Sequence, residues 1–299
     1  MRCVLIGDVH LFRYRMSPRR LLLSKRALGV TNLVLTRRHR FRHDLLPGLV
    51  QQACDLHPDV ALFSGDVTTT SLESEFRAFR QAVRPLTEAA GRSVYVPGNH
   101  DRYTFGSKRA GRVEAELKGL IPARFPHHER LSDTWSLLAL DPVIPQKLHA
   151  RGRLGRDQFS SALNVIRGVT EDQGLLVLCH YPCVYPEGVL HAPSHDMAED
   201  TPMREALSRC RGRVVYCHGH IHRPWALHRG DDPKVPFTCI NAGSPCYTSK
   251  DYPAGQGFYS FTLPDDPRGD LGIEHHLSAE ASAMAVEAAV GGVGGVGAE

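Results

Sequence analysis

Short apolar runs alternate along this chain with longer stretches of mixed polarity. CVLI (Cys3–Ile6), VALF (Val60–Phe63), VYV (Val94–Val96), Trp135–Leu140, Leu175–Cys179 and Val214–Cys217 have the length and apolar content of strands. Between them, Asp44–Leu56, Leu72–Ala90, Arg109–Lys118, Arg156–Gly168 and Met203–Arg209 carry helical patterns. Strands alternating with helices predict an α/β layered fold. Beyond His222 the character shifts to β-like pieces, PFTCI, GFYSFTL and LGIEHHL, joined by Pro/Gly turns. These are expected to complete a second sheet packed on the first. Ser278–Glu299 is rich in Ala, Gly and Val and reads as a disordered tail.

Composition adds boundaries. The chain of 299 residues can hold one large α/β domain or two small ones, and its 42% apolar and 23% charged residues are ordinary for a globular protein. No run of eighteen apolar residues is present, so no transmembrane helix is predicted. The start, MRCVLIGDVH, has no charged region followed by a long apolar one and does not read as a secretory leader. Eight cysteines are scattered, several inside apolar runs, which predicts reduced, buried thiols in a cytoplasmic protein. The net charge of +4 is unevenly placed: ten Lys/Arg and no acid lie between Arg13 and His43, and acids outnumber bases by six elsewhere.

Polar, metal-competent residues recur just after the predicted strands, as GDVH (Gly7–His10), SGDV (Ser64–Val67), PGNHD (Pro97–Asp101), CHYP (Cys179–Pro182) and GHIH (Gly219–His222). Ligands of open α/β sheets bind beyond the carboxyl ends of the strands, where such loops converge. Glycines next to these residues let the backbone turn sharply. Each fragment alone is a weak signal, because Gly-Asp and Gly-Asn are common turns and single histidines usually serve packing. Five fragments in order, each at a strand end, mark a metal site.

The series DVH, GD, GNHD, H, GHIH resembles the calcineurin-like metallophosphoesterases. LGRDQFSSAL (Leu154–Leu163) and NAGS (Asn241–Ser244) are similar to looser features of a bacterial phosphodiesterase branch of that superfamily. The resemblance covers about residues 1–277 and implies one domain there, a four-layer αββα sandwich with a mixed two-sheet core. It implies Asp8, His10 and His222 as ligands of one metal, Asn99, His180 and His220 of the other, and Asp66 as the bridge. The residue types agree, since a carboxylate can span two cations whereas an imidazole offers one nitrogen to one. Mixed N/O ligation suits Mn, Fe, Co or Zn. Two metals about 3.5–4 Å apart clamp a phosphoryl group and lower the pKa of a bridging water, whose hydroxide attacks phosphorus. His100 resembles the family's non-ligand histidine, which neutralises charge and protonates the leaving group. Asp101 either orients a neighbouring imidazole or caps a turn. His218 falls outside the motif.

Two regions vary around this frame. Residues 12–43 form a basic insert, with a helix start at Ser17-Pro18 and a break at Gly29. It reads as a partly buried helical excursion, as a surface for an anionic membrane, or as a contact for substrate phosphates or nucleic acid. Tyr181–Asp200 is a lid-like loop expected to line the cleft, with Tyr185 and His195 as substrate contacts; an irregular surface loop is the alternative. The expected function is a cytoplasmic, two-metal phosphoesterase acting on a small-molecule phosphodiester of nucleotide or cyclic-nucleotide type. A phosphomonoesterase, a UDP-diacylglucosamine-type hydrolase associated with a membrane surface and a nuclease are the enzyme alternatives. A catalytically silent binding scaffold is the remaining one, disfavoured because every ligand position is filled and His100 is present.

Overall fold

The computed structural model describes residues 1–12, 40–146, 150–189, 192–231 and 234–282. Most of the basic insert, most of the Ala/Gly-rich tail, and Leu190 and His191 of the expected lid lie outside the described residues.

Two mixed sheets form the centre. The first has the order β11-β10-β1-β2-β3, built from Arg2–Ile6 (β1), Val60–Phe63 (β2), Arg92–Tyr95 (β3), Phe258–Thr262 (β10) and Glu274–His276 (β11). The second has the order β4-β5-β6-β7-β9-β8, from His127–Arg130 (β4), Trp135–Ala139 (β5), Gly174–Leu178 (β6), Arg213–His218 (β7), Trp225–Leu227 (β8) and Thr238–Asn241 (β9). Strands β1, β2 and β3 run parallel, as do β5, β6, β7 and β9.

Alternation along these strands explains the layers. Cys3, Leu5, Val60 and Leu62 pack with Leu176, Leu178, Val215 and Cys217 in one cluster between the sheets. Their neighbours Val4, Ile6, Ala61 and Phe63 face outward onto Leu49, Val50, Phe76 and Phe79, from helices Leu46–Asp55 (α1) and Glu73–Ala89 (α2). On the other side Leu175, Val177 and Tyr216 pack on Ala162, Ile166, Met203 and Leu207. Those four come from Arg156–Gly168 (α5) and Asp200–Ser208 (α6). Strand side chains point to alternate faces, and both faces here are covered, so the central runs are continuously apolar. The result is helix, sheet, sheet, helix.

Three expectations need correction. Of the pieces after His222 expected to complete the second sheet, PFTCI does so as β9, whereas GFYSFTL and LGIEHHL supply β10 and β11 of the first. The helix expected over Arg109–Lys118 is two short ones, Phe105–Arg109 (α3) and Arg112–Glu116 (α4), divided at Gly111, whose φ of +55° is left-handed. The helix expected from Asp44 begins as a 3₁₀ turn over His43–Leu45 and becomes α-helical at Leu46. Strands β4 and β8 were not expected, because both are short edge strands paired on one side only.

Candidate metal centre

The parallel strands of both sheets end at one edge, and the loops leaving β1, β2, β3, β6 and β7 meet there. Tight turns are needed to bring these side chains together. Asp8, His10 and Asp66 have φ of 51° and His220 of 72°, a left-handed conformation that costs a non-glycine residue roughly 1–3 kcal/mol and clusters at functional sites. Backbone bonds impose it: the Asp8 N–H donates to the Gly65 carbonyl at 2.8 Å and the His10 N–H to the Asp66 carbonyl at 3.0 Å. Two glycines allow the final approach. A Cβ on Gly98 would lie 2.2 Å from Asp66 Oδ1, and one on Gly219 would lie 2.1 Å from Asp8 Oδ2.

The seven residues expected as ligands converge in two groups. In one, Asp8 Oδ1 lies 3.8 Å from His10 Nε2 and 3.5 Å from His222 Nε2, and the two imidazole nitrogens are 2.9 Å apart. In the other, His180 Nε2 lies 3.2 Å from Asn99 Oδ1 and 3.2 Å from His220 Nδ1. Asp66 Oδ2 stands between them, 3.7 Å from His10 Nε2 and 3.4 Å from His180 Nε2.

This donor set fits cations. Pairs of imidazole nitrogens aim at each other, although at most one of each pair can donate a proton. Asp8 Oδ1 is buried without a hydrogen-bond partner among the described residues, a costly arrangement unless a cation takes it. The His180 Nδ1–H donates to the Ser64 carbonyl at 2.7 Å, which leaves Nε2 free to ligate. Charge follows the same logic. Burial favours the neutral form of Asp8 and Asp66, yet the surrounding histidines outweigh it and hold both carboxyls below their ordinary range. Burial drives His10 down to about 3. His180 resists its burial through the charge of Asp66 and rises to about 9.

His100 lies at the mouth. Its Nδ1–H donates to the Thr69 carbonyl at 2.8 Å, its ring stacks on Tyr103 at 5.3 Å, and it meets His10 edge-on at 4.8 Å. A cleft of about 290 Å³ opens above, lined by Asp66, Asn99, His100, Ala150, His195, His220, Ile221 and His222. His195 sits on the rim, its ring 5.9 Å from that of His220.

Two expected site residues play other parts. Asp101 is fully buried, and its carboxylate accepts the N–H groups of Asp66, Thr68 and Gly98 at 2.7, 3.0 and 2.9 Å and the Tyr95 hydroxyl at 2.5 Å. It organises backbone where an imidazole partner was one expectation. Burial and the charge of Asp66 push it to about 6. Tyr185 directs its hydroxyl to Asp196 Oδ1 at 2.6 Å and is not among the residues lining the cleft. His218 lies outside both ligand groups, donating from Nδ1 to the Gly219 carbonyl at 2.9 Å.

Sequence reading missed the far ends of the insert. Phe41 packs on His10 at 5.4 Å and on His222 at 6.1 Å, and Tyr247 packs on His222 at 5.6 Å. Backbone bonds fasten this return to the loop after NAGS: Arg42 N–H to the Cys246 carbonyl at 2.8 Å, and Thr248 N–H to the Arg40 carbonyl at 2.7 Å. NAGS itself holds the ligand loops, through Asn241 Nδ2 to the Ile221 and Arg223 carbonyls and Ser244 Oγ to the Asp8 carbonyl.

A family model describing the calcineurin-like phosphoesterases matches residues 1–224. The chain belongs to that family. Calcineurin-like phosphoesterases are dimetal-dependent, and this member is a metal-dependent hydrolase of phosphoric esters. No curated protein matches the sequence. Among solved structures, the chain is similar to a dimetal phosphatase from Danio rerio, with 14% identity, a TM-score of 0.56, and coverage of 87% of this chain and 91% of that one. It is also similar to a purple acid phosphatase from yellow lupin (Lupinus luteus) seeds, with 15% identity, a TM-score of 0.54 and coverage of 89%. This phosphoesterase spans about half of the lupin chain, 49%. At such identities the likeness is one of fold.

Proposed function

We propose that this phosphoesterase hydrolyses a small phosphodiester of nucleotide type, using two divalent transition ions drawn from Mn, Fe, Co and Zn. The observation that carries the reading is Asp66, whose Oδ2 is within 3.7 Å of His10 and 3.4 Å of His180, one histidine from each ligand group. In this reading Asp8, His10 and His222 hold one ion, Asn99, His180 and His220 the other, and Asp66 serves both. Bound there, the ion pair supplies the charge that polarises the phosphoryl group and lowers the pKa of a water.

The protein's own groups do the remainder. With the His100 Nδ1–H engaged by the Thr69 carbonyl, Nε2 carries the exchangeable proton, which His100 delivers to the leaving oxygen. Asp101 positions Asp66 and takes no proton in the reaction. His195 contacts a substrate oxygen from the opposite rim, and Tyr185 steadies the segment that presents it by holding Asp196. The diester preference is supported by the cleft's lining, which holds no lysine or arginine among the described residues; a dianionic monoester calls for more positive charge than a diester. Eight unpaired cysteines support a reducing, cytoplasmic setting. Contact of the insert with an anionic membrane is supported by its ten Lys/Arg without an acid. Among the described residues, no helix is long and apolar enough to cross a membrane.

The test compares bis(p-nitrophenyl) phosphate with p-nitrophenyl phosphate on metal-stripped protein restored with one metal at a time, with His100→Ala as control. The diester is expected to turn over faster, with metal required and the control slowed. Preference for the monoester would replace this reading with a phosphomonoesterase.

A further inference from the structure

The stretch AGQGF, Ala254 to Phe258, places one glutamine between two glycines. Both glycines are left-handed, with φ of +90° at Gly255 and +74° at Gly257. A side chain fits at neither. A Cβ on Gly255 would lie 2.7 Å from the Pro245 carbonyl oxygen, and one on Gly257 would lie 1.9 Å from that of His276. The chain therefore dips inward for a single residue, and Gln256 is buried. Its backbone is pinned as well, the N–H donating to the Pro245 carbonyl at 3.0 Å and the carbonyl accepting from His275 Nε2.

A buried amide needs partners at both of its ends. Gln256 Oε1 accepts the Ser244 N–H at 2.7 Å, and Nε2 donates to the His222 carbonyl at 2.9 Å. Only this orientation satisfies both, since the amide oxygen has no proton to give and the amide nitrogen can only donate. Gly243 leaves the room for it: a Cβ there would come within 2.8 Å of Oε1.

Both bonds lead to the same ligand group. The Asn241 amide holds the carbonyls of Ile221 and Arg223, each at 2.8 Å, and Gln256 takes the one between them. Three consecutive carbonyls are thus held by two buried amides, which fixes the backbone that carries the His222 ring. At the other end Ser244 Oγ donates to the Asp8 carbonyl at 2.6 Å. Asp8 follows β1 of the first sheet and His222 follows β7 of the second, so one glutamine braces a ligand from each. Among the described residues, no hydrogen bond of Gln256 or Ser244 reaches Asn99, His180 or His220.

We infer that Gln256 is a positioning residue for the ion held by Asp8, His10 and His222, and not for the ion held by Asn99, His180 and His220. The inference rests on the two-ion reading of the centre. It is tested by calorimetric titration of the metal-stripped full chain with Mn²⁺ alone, with His10→Ala marking the binding step that belongs to the first group. Gln256→Met keeps the length of the side chain and removes both bonds. It is expected to weaken the marked step about tenfold and the other by less than about twofold. Val83→Ala, a core truncation on α2, is the comparison for general loosening and is expected to leave the ratio of the two steps unchanged. If Gln256→Met does not fold, Gln256→Asn, which withdraws the amide by one carbon, is read the same way. Weakening that is absent, equal at both steps, or greater at the other step would overturn the positioning role and leave the two-ion centre standing. A parent chain that binds a single ion would overturn both.

Discussion

The backbone N–H of Asp66 donates to the buried carboxylate of Asp101 at 2.7 Å. The acid shared by both ligand groups is thus aimed by a second acid. Asp101→Asn puts an amide donor among groups that already donate. A stability loss of about 2–4 kcal/mol is expected, with metal affinity lower by about 10–100-fold. Chemical denaturation and metal titration measure the two effects, and unchanged metal affinity would remove the positioning role.

Asp66 and His100 should separate binding from chemistry. Asp66→Ala is expected to lose metal and hydrolysis together. His100→Ala is expected to keep its metal and slow by about 10²–10⁴-fold. Metal analysis beside kcat distinguishes them, and a near-normal rate in His100→Ala would end its role as proton donor.

Gly219→Ala tests the close packing beneath the site. The added methyl meets Asp8 Oδ2 at 2.1 Å, where the His220 N–H also donates at 2.9 Å. Displacement of both side chains is expected, with at least a tenfold loss of metal affinity. Affinity like that of the parent chain would show that the loop yields without cost.

Phe41→Ala removes the ring packed on His10 and His222. Truncating a buried phenylalanine costs about 3–5 kcal/mol. Its ring contacts with ligand residues, among the described residues, are to His10 and His222 of one group, so a titration is expected to show one metal weakened more than the other. Equal weakening of both would mean that the ring acts through the fold at large.

Acid should destabilise the fold through half-buried histidines outside the two ligand groups. Burial holds His43 and His275 below the ordinary imidazole value. Below about pH 6.5 the unfolded chain therefore binds more protons than the folded one, and stability falls with pH. The thermal midpoint of the metal-free chain is expected to drop between pH 7.5 and 5.5, less steeply in His275→Gln. An identical slope in that variant would exclude His275 as a contributor.

The ligand loops were legible because their signal is local. GDVH, GNHD and GHIH each carry the glycine that the turn needs beside the side chain that the metal needs. The layers were legible because strands covered on both faces are apolar at every position. Phe41 was not legible: it reaches His10 by pairing with Tyr247, and nothing local announces a contact across more than two hundred residues. Asp101 was ambiguous for a related reason, since GNHD places the acid correctly but does not say that three backbone N–H groups will surround it. Strand β4, HHER at a sheet edge, lacks the continuous apolar pattern that betrays a central strand, and β8, though apolar, is only three residues long.

The two leaves of the sandwich divide the site between them. Asp8, His10, Asp66 and Asn99 hang from the first sheet, His180, His220 and His222 from the second. Cations held there would act as rivets through the seam, drawing on ligands from both leaves at once. Anything that slides one leaf against the other by a fraction of an ångström should loosen the metals before it melts the protein, and metal saturation should in turn raise the melting temperature.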